Sequence, residues 1–565
     1  MMSVLEINNL YVRYGQDTDI NAVHNVSLGL NSGECIGIIG ESGSGKTTLA
    51  MSIMGLLENC AQVSGSICFE GRELIALSGQ ERDSYRWKRI AVAFQNSLDV
   101  LNPVISIGDQ IGECLIRHLE MEKKEARART ENLIRMVGLD PSLAAAYPHQ
   151  LSGGMRQRIL IAMALSCDPD VLIVDEPTTS LDSVSKQEMV RLLLDLQQEK
   201  GFAMLVISHE LPVIAAMTSR ILVMYTGNVV EQGNTKDILH DPRHPYTRGL
   251  IYSSPSIHPY RDMWGIPGEI QITHEQQCPF YSRCNQRIEE CLREHPVLEE
   301  VGEQRQVACL RGGIVTLLAG SGIEKAYHTK NRRVKACLDC NIEIKAGEVA
   351  ALIGESGSGK TTLAGILSGI MDADSGEVYF EGRKVTGNSE TAKPEGIQIV
   401  FQDPVSATNE HLTVREIVQE PLDILKKGER AERLQAVRTA LGQVQLPYDD
   451  VFMRRRGHTL SGGQRQRVAI ARALVMNPKL MIADEISSML DPSNAANLLR
   501  LLKGLQNIRG FSMLYITHDI FLARKIADKV YVMRQGRIIE QGAASKVFDH
   551  PQEEYTRLLL GSATV

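Results

Sequence analysis

The segment GIIGESGSGKTTLA at residues 37–50 returns almost unchanged as ALIGESGSGKTTLA at residues 351–364. A chain that repeats itself at this distance is built from two copies of one folding unit, so its architecture must be one that fits twice. Later landmarks keep the register. LSGG at Leu151, the Asp175–Glu176 pair and His209 come back at Leu460, Asp484–Glu485 and His518, each 309 residues further on. Between the glycine-rich segment and LSGG the spacing shrinks from 106 residues (Lys46 to Ser152) to 101 (Lys360 to Ser461), the mark of duplication followed by divergence. A single core stops growing at about 250–300 residues, and this chain has 565. The expected division is a first unit over 1–240, a connector over 241–320 and a second unit over 321–565.

Each unit carries short apolar runs such as ECIGIIG, DVLIVD and AMLVISH that end on polar residues. They are β-branched and do not alternate, as expected of strands buried on both faces. Helical patterns such as KQEMVRLLLDLQQEK (186–200) lie between them. Strands alternating with helices imply an α/β fold with a mostly parallel sheet, whose ligands gather at the carboxyl ends of the strands.

Bulk properties narrow the partners. Sixty-one basic against 68 acidic residues leave a net charge of −7, so no broad positive field exists to hold a nucleic-acid backbone. The start, MMSVLEINNLYVRYG, lacks a basic region followed by an apolar one, and no run of about 18 apolar residues occurs, so neither export nor a membrane span is expected. Eleven cysteines are too sparse for a disulfide scaffold, yet four gather between residues 278 and 309.

The glycine-rich segments have the spacing of phosphate loops: Gly40, Ser42, Gly43, Ser44, Gly45, Lys46, Thr47 and Thr48, and again Gly354, Ser356, Gly357, Ser358, Gly359, Lys360, Thr361 and Thr362. Glycines let backbone N–H groups wrap the phosphates, the lysine reaches the outer phosphates, and the first threonine can bind Mg²⁺. An apolar run closing on Asp175–Glu176, repeated at Asp484–Glu485, puts one carboxylate near the Mg²⁺ and the next where it can orient or deprotonate an attacking water. An acidic pair at a strand end is more often a solvated loop start; pairing with a phosphate loop in both halves reverses those odds. LSGGMRQR (151–158) and LSGGQRQR (460–467) set a serine and two glycines before a helix, a natural anion site.

LSGGQ is the signature of ATP-binding-cassette ATPases, and the chain resembles that family over nearly its whole length. The resemblance implies two such cassettes, each a mostly parallel sheet flanked by helices with a helical subdomain and an antiparallel β part, joined by a small cysteine-containing connector. It implies ATP and Mg²⁺ as cofactors, with Mg²⁺ held through Thr47, Gln95 and Asp175 and through Thr361, Gln402 and Asp484. It makes Glu176 and Glu485 catalytic, His209 and His518 switch histidines, Gln95 and Gln402 the Q-loops, and Asp182 and Asp491 the D-loop aspartates. Tyr14 and Tyr327 fit the adenine-stacking aromatic, although Tyr11 lies three residues from Tyr14. In the family the signature of one cassette completes the site of the other. Ser461, Gly462 and Gly463 should then serve the site of Lys46, and Ser152, Gly153 and Gly154 that of Lys360, in an intramolecular head-to-tail dimer. DEPTTSLD (175–182) is matched by DEISSMLD, so Ile486 replaces a proline.

After the first unit come HPYTRGL (244–250), IPGEI (266–270) and then Cys278, Cys284, Cys291 and Cys309; the second unit ends on DHPQEEYTRLLL (549–560) without such a quartet. This run resembles the C-terminal extension of ATPases from the oligopeptide, dipeptide and nickel importers, and the second half resembles their partner ATPase. The resemblance favours a 4Fe-4S cluster on the four cysteines, with Zn²⁺ as runner-up and four free thiols as the remaining reading. Cys337 and Cys340 align with Val23 and Val26 of the first half and are expected in a strand core. The function implied is ATP hydrolysis at the cytoplasmic face of the membrane. It would drive import of peptides, or of nickel or metal chelates, through two transmembrane permease subunits served by an extracytoplasmic binding protein. The alternative is a double-cassette ATPase acting on ribosomes, a translation factor or a recycler; the translation factors carry a long charged helical linker between cassettes, which the proline- and cysteine-bearing connector does not match. Cassette ATPases of DNA repair carry large insertions that these compact spacings lack.

Overall fold

The computed structural model describes residues 3–15, 21–94, 100–179, 181–254, 265–271, 276–329, 332–386, 396–403, 409, 411–488 and 490–562. Two compact units emerge, one of residues 1–257, 269–282 and 288–313, the other of 258–268, 283–287 and 314–565.

In the first unit, strands Ile90–Ala93, Val171–Asp175, Ala203–Ile207, Cys35–Ile39 and Arg220–Tyr225 lie side by side in parallel, and the sheet continues antiparallel through Asn228–Asn234, Arg305–Ala308 and Leu298–Gly302. Every residue of Cys35–Ile39, Val171–Asp175 and Ala203–Ile207 is buried, which is why these runs are apolar without alternation. The amino-terminal hairpin, Ser3–Tyr14 with Asn21–Asn31, pairs with Ala61–Phe69 in a separate antiparallel sheet. Leu5, Ile7 and Leu10 of this sheet share one core with Ile36, Ile38, Ile173 and Leu205 of the main sheet. Helices Ile107–Leu119 and Lys123–Met136 pack with Gly153–Ala164 as a helical part.

The second unit repeats the plan. Ile397–Val400, Leu480–Asp484, Ser512–Thr517, Val349–Ile353 and Lys529–Arg534 run parallel, and Arg537–Ala543 closes the sheet antiparallel. Arg332–Lys345, Thr316–Thr329 and Ser375–Phe380 form its antiparallel part. Cys337 and Cys340 sit in the core of that strand pair, as do Val23 and Val26 in the first unit.

The long helix after each acidic pair is bounded by its own chemistry. Asp182 accepts from the N–H groups of Val184 and Ser185 at the start of Ser183–Lys200, and Gly201 ends it in the left-handed conformation. Asp491 accepts from the N–H of Asn494 at the start of Pro492–Arg509, and Gly510 ends that helix in the left-handed conformation. No helix among the described residues is long and apolar enough to cross a membrane.

Candidate nucleotide sites

The strand Cys35–Ile39 delivers the chain to Gly40, and the loop passes directly into helix Lys46–Met54. Gly45 has φ +98°, and a Cβ there would stand 2.3 Å from the carbonyl of Ala22; Gly359 has φ +108°, with a Cβ 2.0 Å from the carbonyl of Ala336. Only glycine permits this close approach. Lys46 Nζ donates to the carbonyls of Gly40 and Glu41, both at 2.9 Å, and to Ser44 Oγ at 3.3 Å. Lys360 Nζ donates to Gly354 and Glu355 at 2.8 and 2.9 Å. Burial lowers the pKa of both lysines, opposed by the acidic groups around them, Glu176, Asp175 and Glu41 in one case and chiefly Glu485 and Asp484 in the other. Ser42, Gly43 and Thr47 lie on the exposed side of the first loop, while Ser44 is buried and Thr48 half-buried. Ser356, Gly357, Thr361, Ser358 and Thr362 repeat that distribution.

Thr47 Oγ1 donates to Asp175 Oδ2 at 3.1 Å, and Thr361 bonds Asp484 likewise. Burial raises the pKa of both aspartates, with the threonine bonds acting the other way. Asp484 Oδ1 is buried without a hydrogen-bond partner among the described residues. An oxygen-only donor set with an unpaired carboxylate oxygen suits a hard divalent cation such as Mg²⁺.

Glu176 and Glu485 both occupy left-handed backbone, φ +54° and +47°, where non-glycine residues are strained. Their N–H groups still reach the neighbouring strand, at the carbonyls of Ile207 (2.8 Å) and Ile516 (2.9 Å). Glu176 Oε1 lies 2.7 Å from His209 Nδ1 and accepts the His209 N–H at 3.2 Å, while Oε2 accepts from Thr179 Oγ1 at 3.2 Å. Glu485 is oriented differently, with Oε2 3.5 Å from His518 Nδ1 and Oε1 3.7 Å from Lys360 Nζ. Ile486, in the place of Pro177, is buried in the second unit's core.

Ser152 caps the helix Gly153–Ala164 through the N–H of Met155, and Ser461 caps Gly462–Leu474 through that of Gln464. Ser152, Gly153, Ser461 and Gly462 are exposed, and Gly154 and Gly463 half-buried. Asp182 and Asp491 act here as helix caps, their carboxyls held below the usual range first by bonds to Ser185 and to Asn494 respectively. Gln402 is exposed and donates to Ser488 Oγ at 3.2 Å; Gln95 lies outside the described residues. Tyr327 Oη lies 3.5 Å from Thr362 Oγ1, beside the second phosphate-loop helix, whereas Tyr14 is half-buried against the first unit's core. Tyr11 packs edge-on against His24.

In the connector, the Cys278 N–H donates to the Cys291 carbonyl at 2.9 Å, and both residues are buried, with Cys284 and Cys309 half-buried. Cys284 falls with the second unit and the other three with the first. Among the described residues no group of three or more His, Cys, Asp or Glu side chains is disposed to hold a metal ion.

Two tyrosines outside the motifs complete the loops. Tyr246 Oη accepts the Glu41 N–H at 2.8 Å, and Tyr555 Oη accepts that of Glu355 at 3.3 Å. The shared YTR in HPYTRGL and EEYTRLLL was the only trace of them in the sequence.

A phosphate loop on a parallel sheet, an acidic pair at the neighbouring strand end and a capped serine–glycine helix start define a phosphate-loop ATPase of the two-cassette kind. The ABC transporter family model matches residues 23–179 and 337–488, and the model for the oligopeptide/dipeptide transporter C-terminal region matches residues 230–291. Among curated relatives, the oligopeptide transport ATP-binding protein OppD of Mycobacterium tuberculosis is 36% identical, with all of this chain and 98% of that protein covered. The glutathione import ATP-binding protein GsiA of Salmonella typhimurium is 37% identical, covering all of this chain and 90% of that protein; GsiA of Escherichia coli O157:H7 is 36% identical with the same coverage. This chain belongs to the ABC transporter family, as an ATPase subunit with both cassettes fused.

Proposed function

We propose that the chain hydrolyses ATP at two sites to drive uptake of peptides through separate permease subunits at the cytoplasmic face of the membrane. The observation that carries the chemistry is the strained Glu176, 2.7 Å from His209 and next to the Thr47–Asp175 pair, with the same residues assembled again in the second unit. Lys46 and the loop N–H groups hold the phosphates. Thr47, Asp175 and Gln95, with Thr361, Asp484 and Gln402, would hold Mg²⁺, which neutralises phosphate charge when bound. Glu176 orients a water and takes its proton as the water oxygen bonds to the γ-phosphorus and the bond to the ADP oxygen breaks. His209 fixes the carboxylate's direction. Glu485 and His518 repeat these roles, with Tyr14 and Tyr327 against the adenines.

The head-to-tail arrangement, in which Ser461, Gly462 and Gly463 complete the first site and Ser152, Gly153 and Gly154 the second, is supported by the exposed, capped helix starts at Ser152 and Ser461. Such termini leave N–H groups free for an anion. A peptide cargo is supported by the names of the relatives and by the match at residues 230–291. An external binding protein belongs to the same reading.

Purified chain co-reconstituted with its neighbouring permease subunits in vesicles tests this. ATP-dependent accumulation of labelled oligopeptides or glutathione is the expected result. ATPase activity indifferent to the permeases, with no peptide accumulated, overturns it. Iron and zinc analysis of anaerobically purified protein checks the quartet Cys278, Cys284, Cys291 and Cys309 separately.

A further inference from the structure

The first phosphate loop is gripped at one peptide from two directions. The carbonyl of Glu41 accepts from Lys46 Nζ at 2.9 Å, and its N–H donates to Tyr246 Oη at 2.8 Å. Tyr246 is fully buried, although it lies over 200 residues further along the chain, on the helix Pro245–Tyr252. Its ring is boxed by Tyr225 at 4.7 Å and Phe280 at 5.6 Å, and Phe280 also stands edge-on to Tyr225 at 5.2 Å. Phe280 comes two residues after Cys278, so the cysteine-bearing segment supplies a wall of the box. A rigid ring in such a box holds its hydroxyl in place at little entropic cost.

The second unit keeps the tyrosine, but among the described residues no aromatic box surrounds it. Tyr555 Oη stands 3.3 Å from the Glu355 N–H, and its ring faces the Arg534 guanidinium at 4.5 Å, where the first unit has Tyr225. The two loops carry the same residues from Gly40 to Thr48 and from Gly354 to Thr362, so any difference between them must come from what holds them.

We propose that Tyr246 is a positioning residue for the first ATP site, presetting the peptide at the mouth of the phosphate loop, and that the cysteine-bearing segment braces it through Phe280. The proposal rests on nucleotide binding at the loops. A loop peptide fixed beforehand binds phosphate without having to be ordered. Losing the hydroxyl leaves the Glu41 N–H without its acceptor and the peptide freer to turn, while the ring still fills the box.

The test is Tyr246→Phe in the full chain with the second site silenced by Lys360→Ala, measuring the affinity for a fluorescent ATP analogue with Mg²⁺ and, by thermal unfolding, the stability. First-site affinity should fall by about three- to tenfold, the range of one hydrogen bond. The melting temperature should stay within the scatter of the parent. In the Lys46→Ala background, which leaves only the second site, the same Tyr246→Phe change should do nothing, and Tyr555→Phe should weaken binding less than Tyr246→Phe does at the first site. Unchanged first-site affinity on Tyr246→Phe overturns the proposal, as does an equal loss at both sites, which would mark a general structural effect. If the ATP-site reading were itself wrong, Lys46→Ala together with Lys360→Ala would bind the analogue like the parent, a result distinct from either.

Discussion

Glu231 and Glu540 are the same residue in the two halves, 309 positions apart, and they live in different surroundings. Each carboxylate collects backbone N–H groups at the entry to its unit's last helix: Arg243 at 3.0 Å and His244 at 2.8 Å in the first, Gln552 at 2.8 Å and Glu553 at 3.3 Å in the second. In the first unit the connector hairpin adds two strands to the sheet edge, sinks Glu231 out of water and brings Arg305 onto it, with Nη2 2.6 Å and Nε 3.1 Å from Oε1. Glu540, on the strand that ends its sheet among the described residues, is half-exposed; burial, the largest influence, pushes its pKa up, but bonds from Gln552, Thr556 and Glu553 outweigh it and hold the carboxyl low. The same cap is thus part of a buried ion pair in one half and lies at a half-exposed turn in the other.

The sharpest way to break the comparison is at the chemistry, where the halves should behave alike. Glu176→Gln and Glu485→Gln each keep the shape and remove the base, and each should slow its own site about 100-fold or more. Single-turnover hydrolysis with the other site silenced reads this. If Glu485→Gln costs far less than Glu176→Gln, the Glu485 orientation toward Lys360 marks a site that hydrolyses differently.

Arg305→Met comes next. It strands a fully buried carboxylate, which costs about 3–5 kcal/mol, whereas Glu540→Gln in the second unit should cost under about 1 kcal/mol because water reaches that side chain. Denaturant unfolding followed by a probe in each unit checks both. Equal effects would mean that the hairpin adds no special dependence.

How much of this could be seen beforehand divides along physical lines. Lys46, Thr47, Asp175, Glu176 and His209 were legible because phosphate chemistry fixes residue type and spacing together, and the repeat supplied each twice. The buried strands were legible because burial on both faces removes alternation. The Glu231–Arg305 pair was not, since two charges 74 residues apart carry no local pattern. Tyr246 was hidden for the same reason: its partner is a backbone N–H, which any residue offers. For the quartet Cys278, Cys284, Cys291 and Cys309 the sequence supplies thiol count and spacing, which suggest a ligand set without choosing between iron, zinc and free thiols.

Two positions before the paired tyrosines stand different residues, His244 in the first unit and Glu553 in the second. His244 is fully buried, accepts the Tyr246 N–H on Nδ1 at 3.1 Å, and burial pushes its pKa down to about 3. The unfolded chain binds that proton near pH 6.5 and the folded one does not, so the first unit should lose stability as pH falls from about 6.5 toward 3. The slope from this residue is at most about 1.4 kcal/mol per pH unit, and nothing is lost above 6.5. The second unit has no imidazole at this place. His244→Asn keeps a capping acceptor and should flatten the slope between pH 6.5 and 4.5 in urea unfolding; an unaltered slope would assign the acid sensitivity elsewhere.

The smallest expected effect is at the signature helices. Ser461 and Gln464 form a reciprocal cap, with the Gln464 N–H on Ser461 Oγ at 3.3 Å and the Ser461 N–H on Gln464 Oε1 at 3.1 Å. Met155 gives its N–H to Ser152 but has no side-chain oxygen to return the bond, so the reciprocal half of the cap is missing at this helix. Met155→Gln should then stabilise the first unit by about 0.5–1 kcal/mol, and Gln464→Met should cost the second unit a similar amount. Thermal unfolding of each variant measures the shift, and the sign is the discriminating result. If both substitutions destabilise, the Met155 side chain contributes packing that outweighs the missing bond, and the halves have diverged at this helix for a reason other than its cap.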